Sequence, residues 1–206
     1  DLEKANRDMR EYLRLLEQDQ QAGRQLQLKL FPQQDLVAGE YHFTHRVVPS
    51  LYLSGDFLEY VEYGNDFLGF YIADVSGHGA SSAFVTALLR HLSLNVYRET
   101  RLAMLRGDAS PYGSPADVLA YYNRELLAAG IDKHVTMFMA VLDRHQHNMV
   151  YSVAGHLPMP ILAAGNDVRY LEGQGMPVGI LREAVYQNYT IDLPDSFTLV
   201  LCSDGV

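Results

Sequence analysis

The chain has 206 residues, 48% of them hydrophobic, and is long enough to bury one large core with or without an extension. Its 16 basic and 25 acidic residues give a formal net charge of -9, which argues against nucleic acid or an anionic membrane surface as the main partner. The single cysteine, Cys202, excludes a disulfide within this sequence, and no run approaches the ~18 apolar residues of a membrane span. We therefore expect a cytoplasmic protein, and part of a longer one, because the sequence begins inside a helical pattern.

Residues 1–32 are expected to form a linker helix that ends at Pro32. A heptad spacing joins the apolar residues Leu2, Met9, Leu16 and Leu30. The pattern is interrupted at Asp19 and Gly23, so two interpretations stay open. In one, an amphipathic helix packs on its own domain. In the other, residues 1–30 form a parallel coiled coil that makes a homodimer and connects an upstream receiver or sensor module of the same chain to the domain.

Residues 33–206 are expected to form one α+β domain. Strand-like runs lie at 41–50, 51–57, 67–75, 135–142, 148–154, 159–163, 167–171, 185–193 and 197–203. The polar segment EYVEYGN is interpreted as the link between the second and third runs. Helices are predicted at 80–98 and 115–129, the second with Ser114 as its N-cap. Groups of adjacent strands with two helices between them favour antiparallel sheets over βαβ units.

Three of the apolar runs carry an aspartate near a glycine: Asp56 in LYLSGDF, Asp74 in GFYIADVSGHG and Asp204 in TLVLCSDG. A buried, unpaired carboxylate is costly, so stability alone does not explain an acid at the tip of an apolar strand. Taken singly, an Asp-Gly pair is typical of a turn. Three carboxylates that converge would repel one another unless a cation neutralised them, so the three together favour a metal site.

The chemistry of this site is predicted from its oxygen ligands. Without a cluster of Cys or His, carboxylates favour a hard divalent ion, Mg²⁺ or Mn²⁺. Two such ions can acidify a shared water for in-line attack at phosphorus. In the segment 74–79 a backbone carbonyl could serve as a further ligand, and the helix beginning at Ala80 would add a positive dipole end near a bound anion.

Several motifs occur in a recognisable order: SGDFLEY, ADVSGHGASSAF, VTMFMAVLD, SVAGHLPMPIL, GMPVGIL and LVLCSDGV. From Asp19 to Val206 the chain resembles the SpoIIE/RsbU-type serine/threonine phosphatases of the PPM (PP2C-like) superfamily. The resemblance implies an α-β-β-α sandwich of two antiparallel sheets flanked by helices, two Mn²⁺ or Mg²⁺ ions, and direct attack by metal-bound water. Carried onto this chain, it makes Asp74 the bridge between both metals and gives Val75 a ligating carbonyl. Asp56 would hold one metal or its waters, and Asp204 would complete the other side.

The resemblance also implies partners. It suggests a phosphorylated anti-sigma factor antagonist, a STAS-domain protein, as the substrate in bacterial partner-switching signalling. It further suggests the output domain of a response regulator. A second hypothesis, from another class, is a phosphatase-like adaptor that binds a sigma factor or regulator without catalysis. Retention of all three aspartates disfavours it.

Two features depart from the family pattern. Glu59 stands where the family often has a second aspartate, and its longer side chain leaves its role open. The last metal-binding aspartate of the family would lie beyond Val206, so we expect a phosphatase domain that lacks its C-terminal end. These residues alone are then expected to bind one metal weakly, and activity is expected of the longer protein.

Two histidines complete the candidate residues. His78 is a candidate contact to the substrate phosphate, together with Gly77, and the alternative is a turn-filling role. His156 in AGHLP follows a predicted strand, and its role is expected to be structural. No Ser-His-Asp order or cysteine nucleophile is evident, so a serine hydrolase is disfavoured.

Overall fold

A computed structural model describes residues 2–48 and 53–204 of the protein. Within these residues it contains three helices, α1 (Leu2–Leu28), α2 (Ala80–Arg106) and α3 (Pro115–Ala128). The strands are β1 (Asp35–Ala38), β2 (Tyr41–Thr44), β3 (Asp56–Tyr63), β4 (Phe67–Val75), β5 (Val135–Asp143), β6 (Asn148–Ala154), β7 (Ile161–Ala164), β8 (Asp167–Tyr170), β9 (Tyr189–Asp192) and β10 (Thr198–Val200). None of the helices in these ranges is both long and apolar enough to cross a membrane.

The strands form three antiparallel sheets. A five-stranded sheet has the order β3-β4-β5-β6-β9, a three-stranded sheet has the order β10-β7-β8, and β1 and β2 form a hairpin of their own. Every ladder between named strands is antiparallel. This confirms the predicted α+β class with antiparallel sheets.

The two faces of the five-stranded sheet bury different partners. On one face, α2 and α3 contribute Leu89, Leu119 and Tyr122 to a core shared with strand residues such as Ala73 and Met137. On the opposite face, a second core joins the sheet to the three-stranded sheet through Phe138, Tyr151 and Leu162. Because side chains alternate along a strand, each strand supplies both cores. The described residues thus build three of the four expected layers: helices, sheet and sheet.

The structure corrects several predicted boundaries. The segment EYVEY is part of β3 and not a link, and Asp56 is the first residue of that strand. The hairpin turn lies at Gly64–Asp66 instead. Strand β1 was not predicted, and α2 extends to Arg106, where Gly107 ends it in a left-handed conformation with φ 72°. The predicted runs 41–50 and 51–57 include residues 49–52, which lie outside the described residues.

The last predicted strand, 197–203, is also shorter than expected. Strand β10 ends at Val200, which pairs with Ile161. Pro160 precedes Ile161 and has no backbone N–H, so it cannot extend the ladder as a donor. Cys202 therefore lies beyond the strand and is partly buried.

The linker helix α1 has two different parts. All residues from Leu2 to Asp19 are exposed, including apolar ones such as Met9 and Leu16. Nearer its C-terminal end, Gln27 is buried, and Gly23 lies against the Leu53 side chain. The end of α1 therefore packs on the domain, while its first part extends away from it.

Glu59, whose role the sequence left open, contacts helix α2. It lies three residues after Asp56 in β3 and therefore points to the opposite face of the sheet, toward α2. Its side chain is 3% exposed and forms an ion pair with Arg90 of α2. The Tyr71 hydroxyl donates a hydrogen bond to it at 3.3 Å. Glu59 joins β3 to α2 and does not face Asp56.

Replacing Arg90 should destabilise the fold. Arg90→Met leaves the buried Glu59 carboxylate without its cation, which costs about 3 kcal/mol of the free energy of unfolding. Denaturant unfolding monitored by circular dichroism measures this loss. Arg98→Met is the matched control, because the Arg98–Glu99 pair is exposed and should change stability by less than about 0.5 kcal/mol. Equal losses of stability in both variants would show that the buried Glu59–Arg90 pair does not stabilise the packing of α2 on the sheet.

Candidate metal-binding active site

The hairpin of β3 and β4 brings two of the predicted aspartates together. Asp56 begins β3, Asp74 lies next to the end of β4, and the two are direct partners in the antiparallel register. Directly opposed residues have Cβ atoms about 4.5–5.5 Å apart and point to the same face of the sheet. That face carries Tyr60 and Phe70 and packs against the three-stranded sheet. Both carboxylates therefore lie at one end of the space between the two sheets.

Asp204 approaches the same place from the other sheet. It is exposed in the turn that follows β10. The pKa of Asp74 is raised to about 6, first by burial and then by the negative charges of Asp56 and Asp204. The structure thus brings together the three acids that the sequence singled out.

Among the residues that the structure describes, no ion pair offsets the negative charge of these three acids. The ion pairs within residues 2–48 and 53–204 do not involve Asp56, Asp74 or Asp204. Asp56 receives one neutral hydrogen bond, from the Ser54 hydroxyl to Oδ2 at 3.1 Å. In these ranges no three Asp, Glu, His or Cys side chains form a ready-made set of metal ligands. A cation would be held here by one or two carboxylates and by waters, which is how Mg²⁺ commonly binds. The residues present fit a divalent ion.

A backbone carbonyl completes the polar surface beside the acids. The Val75 amide donates to the Gly55 carbonyl at 3.2 Å, so the two residues lie side by side. A Cβ atom at Gly55 would come within 2.6 Å of the Val75 carbonyl oxygen. The missing side chain at Gly55 leaves room around this oxygen, which is the predicted ligand.

The loop after β4 is tied to the segment before β5. The Ser76 amide donates to the His134 carbonyl at 2.9 Å, and the His134 amide donates to the Ser76 hydroxyl at 3.1 Å. Lys133 Nζ donates to the Ser76 carbonyl at 2.9 Å. Gly77 follows with φ 81°, a left-handed conformation that favours glycine, and His78 is exposed beside it. The loop is held at its base and presents Gly77 and His78 to solvent.

His156 connects the two sheets next to the acids. It is 1% exposed, its Nε2 donates to the Cys202 carbonyl at 3.0 Å, and its Nδ1 lies 3.3 Å from the Thr136 hydroxyl. Thr136 pairs with Asp74 in the β4–β5 register, and Cys202 is two residues before Asp204. Because a carbonyl only accepts, Nε2 carries the hydrogen and Nδ1 accepts from Thr136. Burial is the main cause that lowers the pKa of His156, which agrees with a neutral ring.

Comparison with known families decides the identity of the fold. A match to the family described as stage II sporulation protein E (SpoIIE) extends over residues 64–206, well over half of the chain. The chain belongs to the SpoIIE family. Among curated proteins, it is similar to the phosphoserine phosphatase RsbU of Bacillus subtilis (strain 168), with 28% identity over 162 residues. That match covers 77% of this chain and 44% of RsbU, so the chain spans less than half of the length of this relative.

Solved structures support the PP2C fold of this SpoIIE-family chain. The SiaA-PP2C domain of Pseudomonas aeruginosa superposes with a TM-score of 0.73 at 19% identity, covering 91% of this chain and 71% of that domain. RsbX in complex with magnesium superposes with a TM-score of 0.52 at 14% identity, covering 80% of this chain and 68% of RsbX.

Several site residues of this SpoIIE-family chain were not predicted from the sequence. Thr136, Lys133 and Ser54 contact the candidate residues or their loop, and none of them was singled out as a candidate, although Ser54 lies within the LYLSGDF motif. Ser54 could have been found from the sequence, because it lies two residues before Asp56. Thr136 and Lys133 become neighbours of the site only when β5 pairs with β4.

Proposed function

We propose that this chain is the catalytic part of a metal-dependent protein serine/threonine phosphatase. The single observation that carries the proposal is the convergence of Asp56, Asp74 and Asp204, none of which forms an ion pair within the described residues. Three acids held together in this way favour the binding of divalent ions over any role in stability. The resemblance to RsbU, which is named a phosphoserine phosphatase, supports the same activity.

Each candidate residue has a role in this proposal. Asp74 and Asp56, together with Asp204 and the Val75 carbonyl, would hold the Mn²⁺ or Mg²⁺ ions, with Asp74 as the central ligand. When bound, the ions supply an acidified water and offset the charge of the phosphate oxygens. The magnesium in the RsbX structure supports the choice of a hard divalent ion.

The loop after β4 is proposed to orient the phosphate. Gly77 and His78 are exposed next to the acids, and α2 begins at Ala80 with its positive dipole end directed toward the loop. His78 and the backbone amides at the start of α2 can donate hydrogen bonds to phosphate oxygens. Lys133 and Ser76 hold the loop in position for this contact.

The resemblance to the SpoIIE family supports a proposal for the substrate and partners. We propose that the phosphatase acts in the cytoplasm on a phosphorylated STAS-domain protein, an anti-sigma factor antagonist, in partner-switching signalling. Residues 1–32 serve as the linker from an upstream receiver or sensor module, and residues 33–206 belong to the phosphatase domain. The exposed apolar residues of α1, such as Met9 and Leu16, support a coiled-coil homodimer through residues 1–30.

Replacing Asp74 tests the catalytic assignment. In the full-length protein, Asp74→Asn should lower the rate of phosphate release from a phosphoserine substrate by several orders of magnitude, because the bridging charge is lost. The wild-type protein should be active with Mn²⁺ or Mg²⁺ and inactive after EDTA treatment. Asp167→Asn, at an exposed position in β8, is the matched control and should keep wild-type activity. Activity that survives EDTA, or that is unchanged by Asp74→Asn, would contradict the catalytic assignment of these aspartates. A wild-type protein that releases no phosphate with either ion would favour the adaptor hypothesis.

Removing the exposed part of α1 tests the dimer. A chain that begins at residue 19 should have half the mass of the complete chain in multi-angle light scattering, because residues 2–18 carry most of the apolar seam and make no contact that buries them in the domain. Its melting temperature should stay the same, since Gln27 and Gly23 remain in place. Identical masses for the two chains would rule out this coiled coil.

A further inference from the structure

We propose that Gln27 is a positioning residue through which the linker helix α1 controls Asp56. This inference rests on the proposed metal-dependent activity and adds a route by which α1 reaches the metal site. Gln27 is 6% exposed and is the buried residue of α1 between Leu2 and Leu28. A buried polar side chain needs hydrogen-bond partners, and here the partners lie on two other elements.

Gln27 holds the segment before β3 by both ends of its amide. Its Nε2 donates to the Ser54 carbonyl at 2.7 Å, and its Oε1 accepts from the Ser54 amide at 3.1 Å. The same Nε2 donates to Thr86 Oγ1 of α2 at 3.1 Å. A glutamine supplies a donor and an acceptor together, so an apolar side chain of similar size would leave both backbone groups of Ser54 unpaired.

Ser54 passes this contact on to Asp56. The Ser54 hydroxyl donates to Asp56 Oδ2 at 3.1 Å, and the Asp56 amide donates to Ser54 Oγ at 3.0 Å. The Asp56 carboxylate and the start of β3 are therefore oriented by Ser54, whose backbone is fixed by Gln27. Three residues form one continuous hydrogen-bonded path from the linker to a proposed metal ligand.

The geometry of α1 suits the transmission of a movement. Gly23 lies one turn before Gln27 on the same face, and a Cβ at Gly23 would be 3.5 Å from Leu53 Cδ2. Helix and segment are thus in close contact over one turn. The residues from Leu2 to Asp19 are exposed, and α1 is continuous from Leu2 to Leu28, so a rotation or shift imposed on its first part would reach Gln27 along the helix. Loss of the Gln27 contacts would release Ser54 and, with it, Asp56.

Metal binding to the full-length protein tests this path. Titration with Mn²⁺, followed by the electron paramagnetic resonance signal of the free ion, gives the affinity of the site without an activity assay. Gln27→Met should weaken Mn²⁺ binding by roughly 10- to 100-fold, the usual effect of removing a group that orients a metal ligand. Gln25→Met, two residues earlier on the exposed side of α1, is the matched control and should bind as the wild type does. Saturating Mn²⁺ should restore much of the phosphatase rate of Gln27→Met.

Hydrogen exchange of the metal-free protein gives a second readout. In Gln27→Met the amides of Ser54 and Asp56 should exchange faster, while those of the β5–β6 hairpin keep their protection. Should Gln27→Met fail to fold, Ser54→Ala decides the question, because it removes the hydroxyl between the linker contact and Asp56 and should weaken Mn²⁺ binding in the same range.

The outcomes separate this inference from the proposed function. Wild-type Mn²⁺ affinity in a folded Gln27→Met protein, with binding abolished by Asp74→Asn, would overturn the role of Gln27 and leave the phosphatase proposal intact. Wild-type affinity in Ser54→Ala would overturn it as well. A wild-type protein that binds no Mn²⁺ would overturn both proposals together.

Discussion

Asp56 and Asp74 face each other across one antiparallel hairpin, and the repulsion between their carboxylates is the interaction on which the proposed metal site depends. The register places both on the face between the two sheets, where burial raises the cost of each charge. Asp204 adds a third negative charge from the second sheet, and the pKa of Asp74 rises to about 6. Since no lysine or arginine of residues 2–48 and 53–204 pairs with these acids, the arrangement favours the binding of external cations.

The two faces of β3 carry acids with different roles, one at the proposed metal site and one that stabilises the fold. Asp56 points between the sheets, whereas Glu59, three residues later, points to the helices and pairs with Arg90. Glu59 is buried and forms an ion pair, whereas Asp56 is partly exposed to solvent. Helix α2 contacts both the linker and β3. Its Thr86 accepts a hydrogen bond from Gln27 of the linker, and its Arg90, one turn later, pairs with Glu59 of β3. In the proposed route, a movement of the linker would act on the same strand that carries the proposed metal ligand Asp56.

Local patterns in the sequence predicted much of this fold. The runs that became β4, β5 and β6 were predicted within one residue of their bounds, and Ser114 caps α3 as expected. The aspartates could be found because a carboxylate beside an apolar strand is conspicuous. The segment containing Glu59 was misread as a link because the cation that permits its burial, Arg90, lies on a different element. For the same reason the partners of Gln27 could not be predicted, since its contacts join residues that are 27 and 59 positions apart.

The most direct test of a shared cation site is anomalous diffraction from crystals of the protein grown with Mn²⁺. Strong peaks within coordination distance of the Asp74 and Asp56 carboxylates, with the Val75 carbonyl or Asp204 nearby, are the expected result. A saturated crystal with no manganese at this end of the sheets, or one in which a lysine or arginine has moved in to neutralise the acids, would contradict it.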